Sequence, residues 1–240
     1  MKKFEFTGET KTTVNGIVLY RIKALVRIDL GYSTIIEVGD LGGWLEKEDN
    51  LSYLGNAWVS GDAEVFGDAK IYGDALISGY SRVFGNARVF GDAEVYNHAW
   101  IFGNAQVSDH AWIYDNAQVF GDAEVSGYSR IFGNAQVSGD AEVFGDAKIY
   151  GDSKVYDDAC INKCSHILNV GPIGRRNEFT TFFRTKDRKV KVSCGCFLGT
   201  IDEFLEKVEQ THGDSKHAIV YRAAADIALA QIDTSDEDDA

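Results

Sequence analysis

Residues that can hold an anion or act as a nucleophile are concentrated near the C-terminus of the 240-residue chain. Arg175, Arg176 and Arg184 carry guanidinium groups, which bind carboxylates and phosphates through two parallel hydrogen bonds. Cys196 and His212 follow, and a thiol beside an imidazole forms a nucleophile pair where the fold joins the two groups. These five residues are our candidate site for a small anionic ligand.

Simpler structural interpretations compete at the same positions. Arg175 and Arg176 also suit a solvated junction between two domains. Cys194 and Cys196 lie on one side of a strand, which is typical of core residues. The four cysteines follow C-x3-C and C-x-C spacings, which are not those of a standard zinc knuckle. We therefore predict no metal, no other cofactor and no catalytic residue.

The elements that must position these residues follow from local patterns. EFTTFF and KVKVSCGCF alternate as strands around the turn TKDR. Thr200 and Glu203 form a capping box that opens a helix, whose positive end would assist anion binding, and Ser215 begins a second helix. The pattern predicts a C-terminal ββαα domain over residues 174–232 and a disordered acidic tail over residues 233–240.

The middle of the chain repeats every six residues. From Val59 to Ile161, every sixth residue is Val or Ile, and the residue two positions before each is Ala or Ser. Because alternate residues of a strand face the same way, both columns point inwards and the residue between them points outwards. The Gly and Asp or Asn that follow suit a corner, since glycine tolerates positive φ. Each hexad is therefore a short strand followed by a corner.

Three such hexads close one coil of a triangular prism. Each strand then stacks on the strand 18 residues away, at about 4.8 Å. The unbroken hexads make six coils, and Ile167 and Ile173 keep the phase, which predicts a looser seventh coil. We place this β-helix at residues 51–173.

The open ends of a β-helix expose strand edges and core, so they must be covered. Residues 1–50 alternate as strands, with turn signals at Asn15-Gly16 and Gly42-Gly43, and we expect them to form a β cap. The predicted fold class is mainly β: a parallel β-helix of about six to seven coils between an N-terminal β cap and the C-terminal ββαα domain.

The hexads resemble those of the hexapeptide-repeat, left-handed parallel β-helix family. In that family an aliphatic residue is followed four positions later by a small one, as in Val59–Ala63 and Val65–Ala69. The left hand is implied by this resemblance, because the usual crossover preference gives the opposite hand. GDLGGWLEKEDNLSYLGNAWV and GPIGRRNEFTTFFR are also similar to segments of uncharacterised hexapeptide-repeat proteins of bacteria and their phages. The resemblance implies a phage or prophage protein that binds a host factor or small ligand to inhibit antiviral defence.

Many members of the family are acyltransferases, which use a loop that interrupts the coils and a histidine general base. No loop interrupts Ala57 to Ile161, and His98 and His110 both occupy the Asp or Asn slot of a corner. The two histidines lie on different edges of the prism. The leading hypothesis is therefore a non-catalytic scaffold. The alternative is an acyl or other group transferase with a site at a subunit interface, which requires that His98 or His110 face the pocket of a neighbouring subunit and border a cleft in the oligomer.

Aromatic residues follow many of the inward aliphatic residues. Phe66, Phe84, Phe102 and Phe120 are 18 residues apart and so form one ladder, with Trp100 on the same face. An exposed aromatic strip favours self-association, and the family resemblance favours a trimer, so we predict a homo-oligomer, trimer or dimer. The competing interpretation is that the rings only cover one another along the ladder.

The charge of the chain is negative and uneven. The net charge is −13, and residues 51–162 alone carry 16 acidic and 6 basic side chains. An acidic rod can bind a basic partner or mimic nucleic acid, which is a second alternative function, although turn preference explains the same Asp residues. Direct nucleic-acid binding is disfavoured, since it rests on Lys and Arg. With no long apolar run and no disulfide framework, we expect a cytoplasmic protein without a membrane span.

Overall fold

The computed structural model describes residues 2–31 and 34–235. The N-terminal region contains five strands. They are β1 (Phe4–Thr12), β2 (Val18–Ala24), β3 (Ile28–Asp29), β4 (Ile35–Ile36) and β5 (Leu41–Leu45). β1, β2 and β5 form successive antiparallel pairs, and β3 and β4 form a separate short hairpin.

The centre of the molecule is a parallel β-solenoid of about seven turns. Its strands are β6 (Trp58–Val59), β7 (Glu64–Val65), β8 (Lys70–Ile71), β9 (Leu76–Ile77), β10 (Arg82–Val83), β11 (Arg88–Val89), β12 (Glu94–Val95), β13 (Trp100–Ile101), β14 (Gln106–Val107), β15 (Trp112–Ile113), β16 (Gln118–Val119), β17 (Glu124–Val125), β18 (Arg130–Ile131), β19 (Gln136–Val137), β20 (Glu142–Val143), β21 (Lys148–Ile149), β22 (Lys154–Val155) and β23 (Cys160–Ile161). Each strand pairs in parallel with the strand 18 residues further along, which gives the solenoid three flat faces.

We call these faces 1, 2 and 3. Face 1 contains β7, β10, β13, β16, β19 and β22, face 2 contains every third strand from β8 to β23, and face 3 every third strand from β6 to β21. The Ala or Ser column and the Val or Ile column are buried along the whole solenoid, as the hexad pattern predicts. The parallel solenoid and the predicted fold class are thus confirmed.

The corners of the solenoid require a left-handed backbone. The corner glycines have φ values of 61–73°, and where glycine is missing, Asn97, Asp109, Asp115 and Asp157 adopt φ values of 54–61°. At two of these positions a side-chain hydrogen bond offsets the unfavourable backbone conformation. Asp109 and Asp115 each accept a hydrogen bond from the corner N–H one coil further on, at 3.2 Å. An alanine has no such acceptor.

This difference predicts the result of two substitutions at one central corner. Gly103→Ala should lower the free energy of unfolding by about 1–2 kcal/mol, because the left-handed backbone disfavours a Cβ, which here would lie only 2.9 Å from the backbone N of Gly121. Gly103→Asp should cost less than the alanine variant, since its carboxylate can accept the N–H of Gly121. Urea denaturation of both variants measures the difference, and an equal loss would show that the side-chain hydrogen bond contributes nothing.

The start of the solenoid differs from the prediction. Gly42 and Gly43, predicted to form a turn, lie inside β5 and are buried. A Cβ on either residue would lie 2.7 Å from a carbonyl oxygen of the first coil, that of Val59 or of Ala63. The two glycines therefore allow β5 to pack directly on the coil, where it runs parallel to β7 and supplies the first, incomplete turn.

Two polar side chains complete the N-terminal edge of the solenoid. Its first coil has carbonyl groups with no preceding coil to donate to them. The Lys3 ammonium donates to the carbonyl oxygens of Ala57 at 2.7 Å and Gly55 at 3.2 Å. At another corner, the Asn50 amide donates to two further carbonyl oxygens of that coil, at 3.0 and 3.1 Å. The cap thus replaces backbone donors with side-chain donors.

The C-terminal region is a four-stranded antiparallel sheet with two helices. Its elements are β24 (Ile167–Ile173), β25 (Glu178–Arg184), β26 (Val190–Cys194), β27 (Phe197–Thr200), α1 (Ile201–His212) and α2 (Lys216–Gln231). The capping box of Thr200 with Glu203 and the Ser215 cap are confirmed. The sheet has two strands more than expected. One is added because a turn at Gly195 divides the predicted second strand into β26 and β27, and β24 is the other.

The end of the solenoid also differs from the prediction. The looser coil expected through Ile173 is not formed, because β24 leaves the solenoid and pairs antiparallel with β25. β25 then closes the open end: Phe183 packs in the solenoid core and its neighbour Phe182 in the C-terminal core. Of the expected acidic tail, residues 236–240 lie outside the described part of the chain. Within the described ranges, no helix is long and apolar enough to cross a membrane.

Candidate functional site

The structure does not bring the three candidate arginines together. Arg175 and Arg176 lie exposed in the turn between β24 and β25. Arg184 lies at the opposite end of β25, a strand whose seven residues span about 20 Å. A single anion therefore cannot contact all three guanidinium groups.

Arg184 belongs to the interior of the molecule. Its side chain is only 2% exposed, and its Nη1 atom lies 3.1 Å from both ring nitrogens of the buried His166. Arginine only donates hydrogen bonds, so the imidazole must present a lone pair to it. This contact joins the end of the solenoid to β25, which gives Arg184 a structural rather than a ligand-binding position.

The thiol closest to the predicted role is not Cys196. Cys196 is exposed in the turn between β26 and β27, whereas Cys194 lines a pocket together with His212. We call this the C-terminal pocket; it has a volume of about 170 Å³ and is lined by Cys194, Phe197, Phe204, Lys207, Val208, Thr211, His212 and Tyr221. Among the described residues, no three His, Cys, Asp or Glu side chains are grouped closely enough to hold a metal ion.

The predicted aromatic ladder is present. Phe66, Phe84, Phe102 and Phe120 stack with ring centroids 4.8–5.0 Å apart and planes within 3° of parallel. Each ring covers part of its neighbour, so the phenylalanines are half-buried. The exposed aromatic residue beside the ladder is Trp100, with 37% of its surface accessible. Self-association through this surface stays a prediction.

A groove lies on face 3, where Leu30, Gly31 and Thr34, which lie between β3 and β4 in the sequence, overhang the solenoid. We call it the face-3 groove, and its volume is about 310 Å³. Leu30, Gly31 and Thr34 form one wall; Leu76, Glu94, Trp112 and Arg130 form the floor; Asp74, Asp92, His110 and Tyr128 form a row of corner residues along the rim. Floor and rim residues are each spaced by 18, so every coil contributes one of each.

Stacked pairs make the groove rigid. The imidazole of His110 lies flat on the Tyr128 ring, with centroids 4.7 Å apart, and the Arg130 guanidinium lies 4.8 Å from the centroid of Trp112. His110 Nδ1 is also 3.5 Å from a carboxylate oxygen of Asp92. Aromatic faces and polar groups are therefore held side by side along the groove.

The groove has more negative than positive charge. Three carboxylates, those of Asp74, Asp92 and Glu94, line it together with a single permanent cation, Arg130. Burial raises the pKa of the Glu94 carboxyl above its ordinary value, because the charged form loses contact with water. A cation bound in the groove would restore that lost stabilisation.

Both corner histidines border a depression on the single chain, whereas the transferase alternative requires one of them to face the pocket of a neighbouring subunit. His110 lines the face-3 groove. His98 stacks on Tyr80, with centroids 5.2 Å apart, and borders a shallow depression with Trp100, Asn116 and Gln118. The two clefts lie on different edges of the solenoid, as predicted from the spacing of the histidines.

The sequence analysis missed the face-3 groove. The sequence does contain a signal for its floor. Leu76, Glu94, Trp112 and Arg130 are outward residues at intervals of 18, so they must lie in one column on the surface of the solenoid. The overhanging wall was not available, because Leu30, Gly31 and Thr34 are far away in sequence from the hexads that they cover. Local patterns do not show which face such residues will cover.

The spacing of 18 residues between stacked strands is that of a repeat β-helix. The hexapeptide-repeat family itself is suggested only by the pattern of the hexads. No protein-family model matches this chain, and no curated protein matches it.

Proposed function

We propose that this protein is a non-catalytic binding scaffold that holds a positively charged segment of a partner protein in the face-3 groove. The observation that carries this proposal is the groove itself, in which carboxylates and aromatic rings of the solenoid lie beneath Leu30, Gly31 and Thr34. Binding sites are concave and combine apolar or aromatic walls with a few fixed polar groups, as this groove does.

Electrostatics selects the charge of the ligand. The described groove residues carry an excess of carboxylates, and the solenoid around them is acidic throughout. A negative field attracts a basic segment and increases its rate of association. Lysine and arginine side chains are therefore the favoured ligands.

The aromatic residues suit the same ligand. Tyr128 is 64% exposed, and His110 covers part of its ring. An ammonium or guanidinium group placed over an accessible aromatic face gains a cation–π contact. A basic segment that lies along the groove can thus place one side chain above Tyr128 and another beside the rim carboxylate of Asp92, two coils away.

A basic peptide tests this proposal directly. We expect hexalysine to bind the wild-type protein and the double variant Asp92→Asn/Glu94→Gln to bind it about fivefold to tenfold more weakly, because two charge contacts are lost. Isothermal titration calorimetry at low and high salt measures both affinities, and binding should weaken as salt rises.

The solenoid offers a matched control. Asp122 and Glu124 occupy the same two positions of the hexad sequence GDAEV as Asp92 and Glu94, but they lie outside the groove. Asp122→Asn/Glu124→Gln should bind hexalysine as the wild type does. Equal weakening by both double variants would favour the alternative in which the whole acidic rod mimics nucleic acid, and no binding by the wild type would exclude a cationic ligand.

A group transferase is the second candidate, because His110 lies in the groove next to the Asp92 carboxylate, as a general base would. The charge of the groove opposes it, since activated acyl donors that carry phosphates are polyanions. Thioester cleavage that is lost in His110→Ala would support the transferase and contradict the scaffold.

Broader assignments are part of the same proposal. The 18-residue spacing supports a left-handed hexapeptide-repeat protein, and the four free cysteines support a reducing, cytoplasmic location. The exposed Trp100 supports a homo-oligomer. A phage protein that binds a host factor to inhibit antiviral defence fits a scaffold with an acidic groove.

A further inference from the structure

The C-terminal pocket is separate from the groove on the solenoid and is built from other elements. It lies where α1 and α2 cover β26 and β27. Its inner wall is apolar and includes Phe197, Phe204 and Val208, of which Phe204 and Val208 are buried. The proposal for the groove does not use any of these residues.

The aromatic rings of the pocket pack against one another and together line one wall of a slot. Phe204 meets Tyr221 edge to face, at 5.6 Å and 88°, and meets Phe197 at 5.7 Å. The pocket volume is about 170 Å³. Apolar cavities of about 150 Å³ bind benzene. The pocket therefore matches a single aromatic ring, and the perpendicular arrangement of the rings in its wall favours edge-to-face contacts with that ring.

Polar groups lie at one side of this slot. Lys207 and Thr211 are four residues apart on α1, so their side chains lie next to each other at the mouth. Lys207 is the only permanent cation that lines the pocket within the described part of the chain. His212, with its ring 5.6 Å from that of Tyr221, completes this side.

The opposite side of the slot does not favour an anion. Burial, helped by the neighbouring Cys194 and by the charge of Glu178, raises the pKa of the Tyr221 hydroxyl to about 12, so the phenol stays protonated. The Cys194 thiol accepts a hydrogen bond from Thr180 Oγ1 at 3.2 Å and lies 4.0 Å from the Tyr221 hydroxyl. A negative group on the ligand must therefore point towards Lys207.

From this arrangement we infer that the C-terminal pocket binds a small aromatic carboxylate, with its ring against the wall that Phe197, Phe204 and Tyr221 form and its carboxylate at Lys207 and Thr211. The ring supplies the buried apolar surface, and the carboxylate receives a charge-assisted hydrogen bond. The site replaces the predicted anion site at Arg175, Arg176 and Arg184, which the structure disperses.

Benzoate is the probe, and amide chemical-shift titration of the full chain is the measurement. We expect saturable shifts confined to α1, β26, β27 and the part of α2 near Tyr221, with a Kd on the order of 1 mM for so small a ligand. Benzyl alcohol, which keeps the ring but lacks the charge, should bind at least threefold more weakly.

Two variants test the contact with the carboxylate and the contact with the ring separately. Lys207→Gln should weaken benzoate about threefold and leave benzyl alcohol unchanged, whereas Lys216→Gln, an exposed lysine outside the pocket, should change neither. Thr211→Trp, at the exposed rim, should block both ligands without altering the core. The inference is overturned if benzoate causes no shifts in the pocket, if both ligands bind equally, or if Lys207→Gln has no effect.

Discussion

Replacing Arg184 with methionine is expected to lower the free energy of unfolding by about 2–3 kcal/mol, because a buried hydrogen bond to a charged group contributes roughly 1.5–3 kcal/mol. The acceptor is the imidazole of His166, which is fully buried. Methionine fills most of the volume of the arginine stem, so the lost polar contacts dominate the effect. Urea denaturation followed by circular dichroism measures the change.

The same hairpin supplies the control for this prediction. Arg176 is exposed in the turn that precedes β25, and surface substitutions change stability by about 0.5 kcal/mol or less. The Arg176→Met variant should therefore have nearly the same free energy of unfolding as the wild type. Arg184→Lys should recover only part of the loss, since lysine keeps the charge but not the planar guanidinium. If Arg184→Met proves as stable as Arg176→Met, the contact with His166 does not hold β25 against the solenoid.

The interior of the solenoid was predictable residue by residue. A period of six cannot follow one face of a helix, and the strand period of two fixes which residues of each hexad point inwards. Val65 and Ala63 are buried for that reason, and Gly103 has positive φ because a corner follows each strand. Each of these inferences uses only neighbours within a hexad or at a spacing of 18.

The ends of the solenoid were not predictable in the same way. Gly42 and Gly43 carry the local signal of a turn, but the approach of β5 to the first coil determines their role. Ile173 keeps the hexad phase, yet β24 pairs with β25, which offers a longer antiparallel edge. In both places a contact between distant segments overrides a local preference.

The candidate sites show the same division between local and distant contacts. The types of residue were informative, since His212 does line a pocket and both corner histidines border clefts. The sequence did not show which of these residues come together, because the length of β25 separates Arg184 from Arg176. Cys194 rather than Cys196 faces the pocket, since the strand ends between them and a turn redirects the chain.

Lys3 should make the stability of the protein rise with pH. Its side chain is 3% exposed, and burial lowers the pKa of the ammonium from 10.5 to about 8, although the charge of Asp74 opposes this shift. Below pH 8 both the folded and the unfolded chain carry the charge. Between the two pKa values only the unfolded chain binds the proton, so stability must increase with pH in that window.

The expected rise is about 2 kcal/mol between about pH 8 and pH 10, relative to a Lys3→Met variant in which this group cannot titrate. The comparison with the variant cancels the tyrosines, thiols and other lysines, which titrate in both proteins. The free energy of unfolding of each protein, measured by urea denaturation across this range, gives the difference directly.

The neutral amine of Lys3 can still make both hydrogen bonds that the cap needs. A neutral lysine still has two N–H groups, and the edge of the first coil offers two carbonyl oxygens, those of Gly55 and Ala57. Deprotonation therefore removes the cost of a buried charge but keeps both hydrogen bonds. Asp74→Asn provides a second test: without that carboxylate, the rise should begin at a lower pH. A constant difference between wild type and Lys3→Met would mean that the carbonyl groups stabilise the ammonium as well as water does.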